Sequence, residues 1–181
     1  AHYPEEFFAA SMCFDMHQSE KLAVFVDDAR RSPLREGGVK LAPPCINNSE
    51  AEFTVEQTDD GYAVRYALAG IRNVGERAME AIVHEREASG KFESLKDLFE
   101  RLPKGSMNSR QLEALISAGA LDEFEPNRAK LMANADMLLA VADAAERERS
   151  SGQAALFGGL ATFAVAVLLV ATKRWHGAFS L

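Results

Sequence analysis

The residues of this chain best suited to hold an anion fall in one short run, Ile71-Arg-Asn-Val-Gly75, followed by Glu76 and Arg77. We expect a short apolar helix from Leu68, a tight turn closed by Gly75, and a second helix opening at Glu76. Such a turn aims free backbone N–H groups, and the positive end of the following helix, at one point. A phosphate fits there. Gly75 allows close backbone approach, Arg72 adds charge beside the cradle, and Ile71 and Val74 brace the turn from beneath. An ordinary glycine-closed turn between two packing helices has the same signature, and this run alone leaves both readings open.

Other chemistries lack the company they need. Two-metal phosphoryl transfer requires carboxylates that converge on the ions. The acidic pairs here are Asp27-Asp28, on an expected helix face, and Asp59-Asp60, which precede Gly61 in an expected turn. The four histidines, His2, His17, His84 and His176, have no ligand spacing with one another or with Cys13 and Cys45. No Gly-rich loop runs into Lys-Ser or Lys-Thr. We expect neither a catalytic residue nor a metal ligand in this chain.

The 181 residues are enough for one or two small domains. An apolar fraction of 48% and a charged fraction of 26% are those of an ordinary soluble protein. No signal peptide is expected, and two isolated cysteines fit a reduced, cytoplasmic setting. The net charge of −7 argues at first against a nucleic-acid partner, but its distribution matters. Residues 1–61 carry 5 Lys/Arg against 12 Asp/Glu, residues 62–130 carry 11 against 11, and residues 131–181 carry 4 against 4. A neutral region can hold phosphate through aimed amides and a few arginines, not through a broad cationic field.

The elements that must position the cradle are mainly helical, with one small β-hairpin. Pro4, Glu5 and Glu6 open a helix with Phe7, Phe8, Met12 and Phe14 as its apolar surface. Ser19 caps a second helix bearing Leu22, Phe25, Val26 and Ala29. Residues 31–38 read as a loop. Phe53–Glu56 and Tyr62–Leu68 read as two strands, the second with Tyr62, Val64, Tyr66 and Leu68 on one face. A helix follows to about Ala88, with Ala78, Met79, Ile82 and Val83 inward. Ser94 with Asp97 signals a capping box for a short helix stopped by Pro103. Asn108 with Gln111 opens another, bearing Leu112, Leu115 and Ile116 and closed by Gly119. Asn127 to about Arg149 reads as one long amphipathic helix.

Two consecutive units therefore share a helix-hairpin-helix plan, one turning at Arg72–Gly75 and the other at Ala118–Asp122. Paired units of this kind grip nucleic-acid backbone without reading bases. The expected backbone-contacting set is Arg72, Asn73, Val74, Gly75, Arg77, Gly119 and Arg128. Beyond the long helix lies Gln153-Ala154-Ala155-Leu156-Phe157, in which a Leu-Phe pair could fill a partner's pocket while Gln153 bonds at its rim. Folding back of Leu156 and Phe157 onto the chain's own helices is the other possibility.

Together these features resemble the alpha subunit of bacterial DNA polymerase III, a C-family replicative polymerase, at the back of its fingers region. The similarity runs from about His2 to Gly158. It rests on Tyr3-Pro-Glu-Glu-Phe7, Pro43-Pro44 with Ile46-Asn47, Ser49 with Phe53, and Leu68 to Gly75. Gly90-Lys-Phe92 with Leu95, Leu112 to Ala120 with Asp122, Asn127-Arg128 and Gln153 to Phe157 complete it. The resemblance implies a fingers-like helical region and first strand over 1–61 and a tandem helix-hairpin-helix over 62–130 that contacts duplex DNA. It implies a long helix with an internal sliding-clamp-binding motif, Gln153 to Phe157, over 131–158. The implied partners are double-stranded DNA, the sliding clamp and the rest of the polymerase III holoenzyme, with no small-molecule substrate. The same resemblance implies that the Mg2+ of nucleotidyl transfer is held by a catalytic palm expected upstream of Ala1.

The chain departs from the family pattern twice. Cys45 stands where an acid usually follows the two prolines. Residues 159–181 replace a polar linker to an OB-fold with an apolar run, Gly159 to Ala171, then Thr-Lys-Arg-Trp-His. That run is shorter than the ~17–25 residues of a spanning helix, so foreign sequence is expected there, with a membrane anchor as the lesser option. A free-standing helix-hairpin-helix repair accessory is the alternative function.

Overall fold

The computed structural model describes residues 3–102 and 105–150. Pro4 opens α1 (Pro4–Phe14), with Glu5 and Glu6 in the first turn. Phe8 and Met12 are buried, but Phe7 and Phe14 are exposed, so only part of the expected apolar face is used. In α2 (Ser19–Arg30), Leu22 and Ala29 are buried, and Phe25 and Val26 pack against the core. Ser19 is the first helical residue rather than the cap. The cap is Gln18, whose side chain donates to Asp15 Oδ1 at 2.8 Å and caps no helix amide.

Glu5 is buried and accepts two hydrogen bonds from Arg35, at 2.7 and 2.9 Å. Burial pushes the Glu5 carboxyl up, but the Arg35 bonds and charge outweigh it and hold the group below its usual 4.5. A carboxylate depressed in this way stabilises the fold above its unfolded value, and that stability is lost as pH falls through the lower folded value. Thermal melts below about pH 4.5 should therefore show a loss that Glu5→Gln reduces. An unchanged slope in that variant would mean other carboxylates carry the acid sensitivity.

Two glycines turn the chain out of α2. At Gly38, φ is +82° and a Cβ would stand 2.1 Å from the Arg30 carbonyl oxygen, so only glycine fits. Val39 N–H then donates to Ala29 O at 2.8 Å. This leads into β1 (Lys40–Ala42), a strand the sequence did not signal. Three residues before a Pro-Pro pair are too few to display a period. The sheet runs β1-β3-β2, with β2 at Thr54–Thr58 and β3 at Gly61–Arg65. β1 is parallel to β3, with Leu41 opposite Val64, and β2 is antiparallel to it, with Val55 opposite Val64. The expected alternation along β3 fails. Ala63 and Val64 are both buried and Tyr62 is exposed, because β3 is the central strand and α1 packs on it.

The expected helix at Leu68 is absent. Leu68 N–H donates to Glu50 O at 3.0 Å and Ala69 N–H to Ala51 O at 3.1 Å, so these amides are tied across to the segment before β2. Consecutive turns carry the chain to α3 (Glu76–Ser89), which buries Met79, Ile82 and Val83 as expected, with Ala78 half-buried. Arg86 is also buried. Its guanidinium reaches Ile46 O at 3.1 Å, Ser49 O at 2.6 Å and Glu50 Oε1 at 2.6 Å.

In α4 (Leu95–Arg101), Ser94 accepts from Asp97 N–H, and Asp97 accepts in return from Glu93 N–H rather than from Ser94. Arg101 lies 4.5 Å over the Phe92 ring and bonds Glu85 and Gly90 O, clamping α4 to the end of α3. The capping box of α5 (Ser109–Ala118) is complete: Asn108 accepts from Gln111 N–H at 3.0 Å, and Gln111 accepts from Asn108 N–H at 2.9 Å. The expected stop at Pro103 lies outside the described residues.

Instead of one long helix there are two, α6 (Arg128–Ala133) and α7 (Ala135–Ser150). Asn134 makes the break. Its side chain donates to Lys130 O at 2.7 Å and its N–H to Leu131 O at 3.1 Å, so it ends α6 as asparagine commonly does. Leu131 and Ala135, four residues apart on either side of the break, are both buried. Arg149 closes α7 onto α4 through the carbonyls of Glu100 and Leu102. The buried side chains form one cluster from Phe8 to Ala135, and the expected segment boundary at 61/62 falls inside β3, after its first residue. No helix among the described residues is long and apolar enough to cross a membrane.

Candidate nucleic-acid interface

The turn before α3 is built from below. Ile71 and Val74 are both buried at 9% exposure, and Val74 N–H donates to Ile71 O at 3.1 Å. The left-handed bend falls on Asn73, with φ of 69°, not on Gly75, which has φ of −84° and ψ of 136°. Asparagine tolerates that conformation better than other residues with a side chain. Gly75 caps α3 with no side chain, and the first helical bond runs from Met79 N–H to Gly75 O at 3.2 Å. The amides of Glu76, Arg77 and Ala78 therefore face outward without a cap. By contrast, Ser94, Asn108 and Asn127 cap α4, α5 and α6.

Arg72 and Arg77 are both exposed, and neither forms an ion pair among the described residues. Glu76 sits between them in the chain, 3.5 Å from His17 on the loop between α1 and α2. A third guanidinium arrives from α5. Arg110 donates from Nη2 to Asn73 Oδ1 at 2.8 Å. Gln111 Nε2 lies 3.4 Å from where a Gly75 Cβ would stand, so the first turn of α5 abuts the cap of α3. Between the turn and α5 is an open groove of about 560 Å³, reaching Met132 on α6.

Arg110 is not in the set expected from the sequence, though the sequence carries a signal for it. A cation in the first turn of a helix opposes the macrodipole, and Arg110 is the second residue of α5 with no acid in that turn.

The second hairpin is arranged differently. Gly119 is buried, has φ of 84°, and ends α5 by donating to Ile116 O at 3.0 Å. The next helix begins at Arg128, so no helix N-terminus adjoins Gly119. Arg128 folds back over this glycine. Its Nε bonds Asp122 Oδ1 at 2.8 Å, Nη2 bonds Asp122 Oδ2 at 2.5 Å, and Nη1 bonds Ser117 O at 3.0 Å. A Cβ on Gly119 would stand 2.1 Å from Arg128 Nη2. The hydrogen bonds from Arg128, with its charge, hold the Asp122 carboxyl below its usual range. The structure brings Gly119 and Arg128 together, but onto each other and Asp122, so this guanidinium is neutralised within the chain. Gln153, Ala154, Ala155, Leu156 and Phe157 lie outside the described residues, as does the tail 159–181 with its apolar run.

Residues 38–131, just over half of the 181-residue chain, match a family model described as helix-hairpin-helix motif. The chain belongs to the helix-hairpin-helix family. Its helix-hairpin-helix region holds β1 through α5 and the start of α6, with the open turn and the closed one both inside the match. The chain is also similar to DNA polymerase III subunit alpha from several bacteria. It is 40% identical over 175 residues to that of Neisseria meningitidis serogroup A, covering 97% of this chain and 14% of the relative. For Caulobacter vibrioides the values are 43% over 158 residues, 87% and 13%. For Escherichia coli they are 42% over 161 residues, 89% and 13%. The chain thus spans 13–14% of the length of these relatives.

Asp27 and Asp28 are exposed on α2, where Asp27 pairs with Arg31, and Asp60 pairs with Lys40. Among the described residues no three His, Cys, Asp or Glu side chains gather as a metal site.

Proposed function

We propose that this chain is the part of a replicative DNA polymerase alpha subunit that grips duplex DNA by its backbone and, through Gln153 to Phe157, tethers the polymerase to its sliding clamp. The duplex-holding role is supported by one observation above all. The uncapped start of α3 is flanked by Arg72 and Arg77, neither of them committed to an acid. A phosphate there would accept amide N–H bonds and meet the positive helix end. Arg72 would add a charge-assisted bond. Asn73 and Val74 set the turn and Gly75 keeps its approach open. Gly119 and Arg128 serve the second hairpin by holding its shape, with Arg128 reaching phosphate only if it leaves Asp122.

The clamp role rests on the pentapeptide and on the similarity to the alpha subunits. Bond making would fall to a palm elsewhere in the longer polypeptide, with its Mg2+, and the setting is the cytoplasm within the polymerase III assembly.

Two substitutions in the 181-residue chain test the cradle. Arg72→Glu should weaken binding to duplexes of unrelated sequence by the same factor, because a phosphate contact carries no base information. Gly75→Ala should lower affinity with little loss of stability, since φ is ordinary and a Cβ meets only Gln111 Nε2 at 3.4 Å. A strong preference for one base sequence, or unchanged affinity in both variants, would contradict backbone gripping.

A further inference from the structure

We infer that Arg110, aimed by Asn73 and lining the same groove as Arg72, is a further backbone-binding arginine, and that this groove seats the next sugar–phosphate unit of the same strand. The inference rests on the cradle function proposed above. A guanidinium carries five N–H donors, and Arg110 gives one of them to Asn73 Oδ1. A neutral amide oxygen orients the fork without cancelling its charge. Arg128 is the contrast within the same chain, because Asp122 both orients and neutralises it.

The cation also occupies an unfavourable place. Arg110 lies in the first turn of α5, where the helix dipole opposes positive charge. An incoming phosphate would relieve that conflict. The rest of the groove has a matching character. Ile71, Ala114, Ala118 and Met132 offer small or apolar surface suited to an uncharged deoxyribose, while Arg72 and Arg110 supply the charge for its phosphate. Glu113 is the one acid on the lining, so the phosphate belongs at the arginine end.

The test is duplex binding by the whole chain across a salt series, with Arg72→Glu measured alongside. Each phosphate contact contributes about 0.9 to the slope of log affinity against log salt. Arg110→Gln should weaken binding about tenfold at moderate salt and reduce that slope by about 0.9. Asn73→Gly keeps the positive φ and the Arg110 charge, so it should weaken binding less and leave the slope unchanged. If Arg110→Gln disturbs folding in a thermal melt, Arg110→Lys supplies the readout: slope kept, affinity reduced through loss of the planar fork. Unchanged affinity and slope in the Arg110 variants, with Arg72→Glu still impaired, would overturn this inference alone. If Arg72→Glu also binds normally, the cradle itself is wrong.

Discussion

Replacing Leu156 and Phe157 together by alanine should lower the affinity of the 181-residue chain for a bacterial sliding clamp at least a hundredfold. Each buried apolar side chain contributes roughly 1.5–3 kcal/mol, and two of them exceed the roughly 2.8 kcal/mol that a hundredfold requires. Gln153→Ala should cost less, since a single hydrogen bond nets about 1 kcal/mol. Because the docking is mainly apolar, added salt should change clamp affinity little while it weakens DNA binding steeply. Calorimetry of wild-type and doubly substituted chains gives the answer. Equal binding by both, or binding by neither, would remove the clamp from the proposed function and leave DNA gripping untouched.

The largest expected effect on stability is at Arg86. Arg86→Met should lower stability by about 3 kcal/mol, because it strips donors from Ile46 O and Ser49 O, and each buried acceptor left unsatisfied costs about 1–3 kcal/mol. Its pairing with Glu50 adds less, since that carboxylate is 40% exposed and screened. For a chain of this size the melting midpoint should fall by about 6–12 °C. The consequence extends to the interface. Glu50 O and Ala51 O receive the amides of Leu68 and Ala69, which lead directly into the Arg72–Gly75 turn. Loosening that strip should therefore also weaken duplex binding. A midpoint unchanged within error would show that water replaces the guanidinium at little cost.

Local patterns carried much of this architecture. The capping residues Ser94, Asn108 and Asn127 all receive N–H bonds, and Ile71 and Val74 sit beneath the turn as their spacing implied. Long-range pairing was the obscure part. Nothing local distinguishes Leu68 and Ala69 as a strip bonded to residues 50–51 from the apolar helix that their composition implied. β1 is likewise defined by β3, which comes later in the chain. Asn134 could be read either way, because asparagine is tolerated inside a helix and favoured at its end. At the interface, the sequence named Arg72 and Gly75 correctly as neighbours of a helix start. It could not show that Arg110 arrives from α5, or that Asp122 claims Arg128.

If DNA is held by its backbone at the start of α3, the salt dependence of duplex affinity must show it. Wild-type chain and Arg72→Glu should be titrated with two duplexes of unrelated sequence over the same salt series. Log affinity should fall steeply and linearly with log salt, identically for both sequences, with a slope shallower by about 0.9 or more in Arg72→Glu. A flat salt response in the wild-type chain, or one slope shared by wild type and Arg72→Glu, would contradict a backbone hold at α3.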